Sequence, residues 1–570
     1  MFDRLASTTL GTKRQPPLQR QSQPKWRLSV ATFCALTLFA AGCGGGQRGA
    51  DAFESQFPTE SELQAALESH DTAYPRIGDQ SVILRSWSFE GLSDRLGLRD
   101  ADVPAPFSPV LGARHTAGAH CVAAQLARFA TEYDVSPSME LIATWRQYCG
   151  STLASVAMYF GCIEGDPNDA ELAEMLPALN ELPPGSMFGV ATARTEAKTC
   201  AAAAWGNAAI ELDDGSAVAA GGSIRITGQV VAAFEEVVGS VTAGPHGAAL
   251  CQVDTSVSAP QFGLICPLLG GSDVWLVNVQ SRSPGRLLFD KSITIAVFAD
   301  ARPEREWTLR VPALPGDSVA ERLLAATNGL RSSAGQPPMA LSEPQSSNQC
   351  LAVGPMFDSS VDNTTRDMVA LGLMAGWHVE QKINNASLFS ASSPAQSTDD
   401  DLVAYLLEQP SVRLALLNPS TSVLAVGDDA LNEYGARGLV VTTYSSIDAD
   451  TDAIATAMRA RVDAARQARG LTPTETLSSA GEAAMRRSVG ALRSTERGVA
   501  EELGNAMQAV VDATRTAVGG QYWMLVSSVD AIPVPAAWLE GERLRLSLRA
   551  ELFTPRGSPW ASYAIMAVTQ

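Results

Sequence analysis

Residues 405–427 read YLLEQPSVRLALLNPSTSVLAVG, and the fold of the C-terminal half turns on them. An aromatic opens the stretch and Gln409-Pro410-Ser411 turns it. Arg413 follows, then Leu416-Leu417-Asn418-Pro419, and Val426-Gly427 closes it. A proline disrupts a helix interior. Glu408 and Val412 lie four apart across Pro410, so they need not share a helix face.

Upstream, DSVAERLLAATNGLRSSAGQPPMALS (317–342) is an amphipathic helix that ends in a Gly-Gln-Pro-Pro break. Leu323, Leu324, Thr327 and Leu330 share one face. Asn328 and Arg331, three apart, can meet or cap nearby backbone.

The ordered set Asn328, Arg331, Pro338, Tyr405, Pro410, Arg413, Leu417, Asn418, Pro419 and Gly427 resembles the CAP superfamily in its bacterial secreted form. That superfamily comprises the cysteine-rich secretory, antigen 5 and pathogenesis-related proteins. The resemblance covers residues 317–446 and implies a three-layer α-β-α sandwich with a broad cleft. It also implies histidines and glutamates in that cleft, able to hold a divalent metal. Here the chain departs from the pattern. Val412 stands where bacterial members carry histidine, MFDSSVDNTT (356–365) has none, and EQKINNA (380–386) replaces a Gly-Glu-Asn step. The candidate cleft residues are therefore His378, Glu380, Glu408, Val412 and Arg413. A zinc site wants three protein ligands or more, so no metal and no cofactor is expected.

Residues 447–570 echo this unit. Asn328, Arg331, Gly335 and Pro338 have the spacing 3, 4, 3, and so do Asp463, Arg466, Gly470 and Pro473. A degraded second CAP-like repeat is one reading; convergent helix–turn patterning is the other. QYWMLVSSV, RLRLSLRAELFT and WASYAIMAVTQ read as strands.

Residues 205–316 carry β-branched and aromatic runs between Gly, Pro, Ser and Asp, from SIRITGQVV to EWTLRVPAL. Their spacing suits an antiparallel β-sandwich, able to bind through a sheet edge. Residues 58–204 read as a mainly helical domain, with GAHCVAAQLARFATEY and SMELIATWRQYCG as its clearest helices. His115 and His120, five apart, share no helix face well and are read as helix-entry residues.

The N-terminus speaks for export. Residues 1–27 carry six basic residues against Asp3, a short apolar run follows, and FAAGC ends at Cys43. This is a lipoprotein signal (1–42), with Cys43 the lipidated residue and 43–57 a flexible tether. Gly44, not Asp, follows the cysteine, which favours the outer membrane or cell surface. In an oxidising compartment cysteines pair. The local pairs are Cys121–Cys149, Cys162–Cys200 and Cys251–Cys266, with Cys350 left over. Removing the signal leaves 36 basic against 60 acidic residues, a net charge of −24. Phosphate binding needs a basic face, so nucleic acid is excluded as a partner.

The expected architecture is α+β and multidomain: helical region, β-sandwich, CAP-like domain and C-terminal α/β domain. The expected role is non-catalytic binding or structure at the cell envelope, membrane-anchored by lipid. Its ligand would be a cell-wall glycan, an apolar small molecule or a protein. The alternative is a metal-assisted hydrolase that brings Glu380, Glu408 and His378 together, with acids from TDDDL.

Overall fold

The computed structural model describes residues 57–68, 100–298 and 316–570 apart from short internal stretches, the longest 492–498 and 527–533. The expected lipoprotein signal (1–42), Cys43 and the expected strand at 306–314 lie outside the described residues. The described residues form a mixed α+β architecture with five sheets. Among the described residues no helix is long and apolar enough to cross a membrane.

Helix α1 (Glu60–Glu68) precedes a unit made of β1 (Arg114–His115), α2 (Ala117–Glu132), α3 (Met139–Tyr148), β2 (Ala157–Glu164), α4 (Asp169–Glu174), β3 (Met187–Arg194) and β4 (Lys198–Gly206). The expectation of a mainly helical region is corrected here. Its second half is a sheet of order β1-β3-β4-β2. The Ala-rich β4, KTCAAAAWG, carries high helix propensity, but pairing on both sides overrides it. Alanine also lets α2 approach closely. At Gly189 on β3 an added Cβ would stand 2.0 Å from the backbone of Ala119. Thr116 and Ser138 cap α2 and α3. Cys121 on α2 is bonded to Cys149 at the end of α3, and Cys162 to Cys200 across β2 and β4. Helix α1 does not join this unit. Leu63 and Leu67 pack instead against Ala352, Val369 and Leu373, far along the chain.

Next come β5 (Ile210–Leu212), β6 (Ala219–Ala220), β7 (Ser223–Val230), β8 (Glu236–Ala243), β9 (Ala248–Leu250), β10 (Gln252–Val253), β11 (Gln261–Pro267), β12 (Val274–Arg282) and β13 (Lys291–Phe298). They form two antiparallel sheets, β10-β11-β7-β5 (with β6 beside β7) and β13-β12-β8-β9. One core, with Ile224, Ile226 and Leu264 from the first and Val241, Val277 and Ile295 from the second, lies between them. The chain changes sheet at Cys251, which is bonded to Cys266.

The third unit contains α5 (Val319–Ser333), β14 (Ala340–Leu341), α6 (Glu343–Phe357), α7 (Asn363–Ala375), β15 (Ile383–Ser393), α8 (Asp399–Glu408), α9 (Pro410–Leu416), β16 (Thr421–Ala430) and β17 (Arg437–Ser446). Its sheet has the order β14-β16-β17-β15. Alternation along the central strands sorts the helices. Leu424, Val426, Leu439 and Val441 face α5, α8 and α9, whereas Val440 faces α1, α6 and α7.

The fourth unit contains α10 (Thr451–Gln467), α11 (Ser479–Ala491), α12 (Val499–Thr514), β18 (Gly520–Val526), a 3-10 turn (Ala536–Leu539), β19 (Leu546–Phe553) and β20 (Ser562–Thr569). Its sheet order is β18-β20-β19, and Glu475 bridges Arg545 in parallel, as Ala340 pairs with Val423. Helix α10 packs on one face, α11 and α12 on the other.

Both units hold a buried arginine in the same way. Arg331 donates from Nε to Pro337 O (2.7 Å) and from Nη1 to Leu416 O and Asn418 O (2.7 and 3.0 Å). Arg466 donates from Nε to Thr472 O (2.7 Å), and its terminal nitrogens reach Trp538, Gly541 and Glu542 carbonyls. One turn earlier, Asn328 holds the backbone of Met339 and Asp463 that of Thr474. Each guanidinium thus ties its helix to the loop that follows and to the chain before the next strand.

Candidate functional site

The residues of the opening stretch are placed by three local rules. Thr398 and Asp401 form a capping box that starts α8. Gln409 ends it, because Pro410 cannot continue a helix but suits the first position of α9. Arg413 then bends back, donating from Nε to Leu407 O at 2.7 Å.

Neighbouring elements from two other units cover this elbow. Helix α3 packs on α8, while β8, β9 and β12 pack on α9. Thr294 on β13 donates to Gln409 Oε1 at 2.8 Å. Ionisable groups from α3 and α8 therefore meet away from water. Glu140, in the first turn of α3, is 2 % exposed, and its Oε2 accepts no hydrogen bond among the described residues. Burial, with the charges of Glu408 and Asp401, pushes its carboxyl up to about 9. Glu408 is half-buried; burial pushes it up to about 7, opposed by the Arg413 charge. Asp401 is also raised by burial, against hydrogen bonds from Thr398 and Ser138. Tyr148 is raised by burial and by Glu408, and Tyr405 by burial against the charge of Arg146. Two carboxyls with raised affinity for protons titrate as a pair.

The sequence-derived candidates separate. Glu408 and Arg413 join this seam. Val412 does not face it as a ligand position would. It is 3 % exposed and packs with Leu402, Leu406, Leu416 and Val426 in the core. His378 lies after α7, its Nε2 3.3 Å from Glu60 Oε1 on α1, and so belongs to the opposite layer of the sheet. Glu380 is exposed in the same connection. The acids of TDDDL are engaged elsewhere: Asp399 with Arg437 (2.9 Å), Asp400 with Arg322 (2.8 Å), Asp401 in the capping box. Among the described residues no three His, Cys, Asp or Glu side chains are grouped to hold a metal ion. The donor set does not fit the metal that the family resemblance implies, because the sheet separates His378 from Glu408.

His115 and His120 bind backbone. His115 Nδ1 lies 3.0 Å from Ala101 O and its Nε2 accepts from Val190 N (3.3 Å), while His120 Nδ1 lies 2.6 Å from Val190 O. They fasten the start of α2 to β3. Glu140, Arg146 and Tyr148 were not among the candidates. SMELIATWRQY gave no signal for them, because with Glu140, Thr144, Arg146 and Gln147 it reads as an ordinary amphipathic helix with a polar face.

No protein-family model matches the chain, and no curated protein does. Two solved structures are similar to it in part. One is an extracellular protein containing an SCP domain from Bacillus anthracis str. Ames, 17 % identical, with 32 % of this chain and 59 % of that one covered and a TM-score of 0.18. The other is a cysteine-rich secretory protein from Staphylococcus aureus subsp. aureus Mu50, 12 % identical, with 42 % and 83 % covered and a TM-score of 0.17. The chain thus spans about three fifths of the first structure's length. Likeness at this level assigns the chain neither a family nor any residue role.

Proposed function

We propose that this chain is a lipid-anchored protein of the cell envelope with a non-catalytic binding role, built on a CAP-like scaffold and its degenerate repeat. The observation that supports it is the fate of the elbow at α8–α9. The face that the resemblance assigns to an open cleft is packed against α3 and the β-sheets, with Val412 in the core and His378 in the other layer. The scaffold arginine is kept, and the groups around it are spent on packing. The paired sheets of residues 210–298 then act as a spacer and clamp, the β-sandwich of the sequence reading.

One observation favours a hydrolase: Glu140 and Glu408 form a carboxyl pair with raised proton affinity, as acid catalysts often do. Against it, Glu140 is 2 % exposed, and a general acid must reach its substrate within hydrogen-bond distance. The test is a zinc titration of the full chain purified in detergent. No stoichiometric uptake is expected. Stoichiometric zinc that Glu408→Gln abolishes overturns the reading in favour of metal-assisted chemistry.

A further inference from the structure

The third and fourth units differ where helix meets sheet. The parallel pairs Ala340–Val423 and Glu475–Arg545 set corresponding registers. Four residues on, Gly427 and Arg549 occupy the same station, opposite Val440 and Met566. At Gly427 the helix α6 rests on the strand, and an added Cβ would stand 2.1 Å from the Cys350 amide nitrogen. No side chain fits there. In the fourth unit an arginine occupies that place. Its side chain runs between α11 and β19 to Glu482 (3.1 Å) and approaches Asp452 at 3.7 Å. The helix is held off the strand, and a cavity of about 300 Å³ results. Thr451 and Asp452 of α10, Arg486 and Val489 of α11, and Arg549 and Glu551 of β19 line it.

We propose that this cavity binds a small zwitterion of amino-acid size, its carboxylate on Arg486 and its ammonium on Asp452. The proposal rests on the binding role above and gives it a place. Arg549 is committed to Glu482. Arg486 is exposed and, among the described residues, forms no ion pair. The Asp452 side chain is 91 % exposed. Asp452 meets Arg549 only at 3.7 Å and stays open to water, and Arg486 faces the same cavity, so the lining presents both signs of charge to a ligand that carries both. A simple anion meets the carboxylates of Asp452 and Glu551, and a simple cation meets two guanidiniums. An apolar ligand would strip water from all of them without return. The volume is at the lower end of the range for ligand pockets, about 300–1,000 Å³.

The experiment is a calorimetric titration of the full chain with glycine and the L- and D-forms of alanine, glutamate and lysine. Acetate and methylammonium serve as half-ligands. At least one amino acid binds with a Kd of about a millimolar or tighter, and neither half-ligand displaces it. Arg486→Gln and Asp452→Asn, both at solvent-facing side chains, each weaken binding about tenfold or more with an unchanged melting curve. The proposal is overturned if no amino acid of the panel binds by about 10 mM, if a half-ligand competes equally, or if both variants bind like the parent. Failure here with no zinc uptake leaves the non-catalytic reading standing. Zinc uptake with intact amino-acid binding removes that reading and leaves the cavity assigned.

Discussion

Replacing Glu140 by Gln removes one ionisable group from the α3–α8 seam and keeps its shape. In the folded chain the carboxyl holds its proton up to about 9, against an ordinary value of 4.5. The unfolded chain therefore releases this proton as pH rises past 4.5, while the folded chain keeps it. Folding binds one extra proton throughout that window, so stability falls with pH, by about 1.4 kcal/mol per pH unit for one proton. The contribution is fully present below pH 4.5 and has cost about 3 kcal/mol by pH 7. Glu408, raised to about 7, steepens the fall between 4.5 and 7. A glutamine pays none of this. It forgoes at most one hydrogen bond's worth, about 1 kcal/mol. The Glu140→Gln variant should therefore be more stable than the parent by roughly 2 kcal/mol at pH 7 and close to it at pH 5. Urea unfolding at pH 5, 6, 7 and 8 measures this, following Trp145 and its surroundings by fluorescence. Identical pH slopes for the two proteins, or a variant weaker at every pH, would refute the argument.

Three further outcomes follow from single contacts. Arg331→Met keeps the stem but strands the carbonyls of Pro337, Leu416 and Asn418; a loss of roughly 3 kcal/mol in denaturant titration is expected, since hydrogen bonds to charged groups contribute about 1.5–3 kcal/mol. Gly427→Ala drives a methyl onto the Cys350 amide at 2.1 Å and should cost at least about 3 kcal/mol, whereas Arg549→Ala at the matching station should cost about 1–2 kcal/mol, the worth of a partly buried ion pair; equal losses would show that the two helix–sheet seams are alike. Cys43→Ser removes the acyl attachment, so the chain should move from membrane to soluble fractions and lose the acyl mass in mass spectrometry; continued membrane association would place the anchor elsewhere.

The legible parts of the chain were those set by local rules. The cysteine pairs join elements that are neighbours along the chain, separated by 28, 38 and 15 residues. The N-x-x-R step announced Arg331 because a helix places both residues over the following loop. Six expected runs between 223 and 298 became strands because β-branched and aromatic residues are concentrated there between Gly, Pro, Ser and Asp breaks. What was not legible depended on contacts distant in sequence. KTCAAAAWG is a strand only because β2 and β3 flank it. Leu63 and Leu67 pack on α6 and α7, far along the chain, a pairing that no local pattern announces. Glu140 lies in the first turn of α3, where an acid suits the helix dipole, so its residue type alone marks no burial. Only the arrival of α8, some 260 residues later, makes it a buried carboxyl.

These particulars divide labour between the two similar units. In the third, Gly427 lets α6 close on β16, and α8–α9 are covered by α3 and the paired sheets, so neither surface of the helix–strand seam is left to a ligand. In the fourth, the same arginine buttress persists at Arg466, but a 3-10 turn stands where α8 and α9 would be, and Arg549 props the seam open. The buttress fixes the loops against the sheet and is indifferent to what lies in the seam. A unit can therefore change the residue at one strand position from glycine to arginine and gain a charged cavity while the fold that frames it stays intact. On this argument the third unit is where the protein holds itself together, and the fourth is where it meets a ligand.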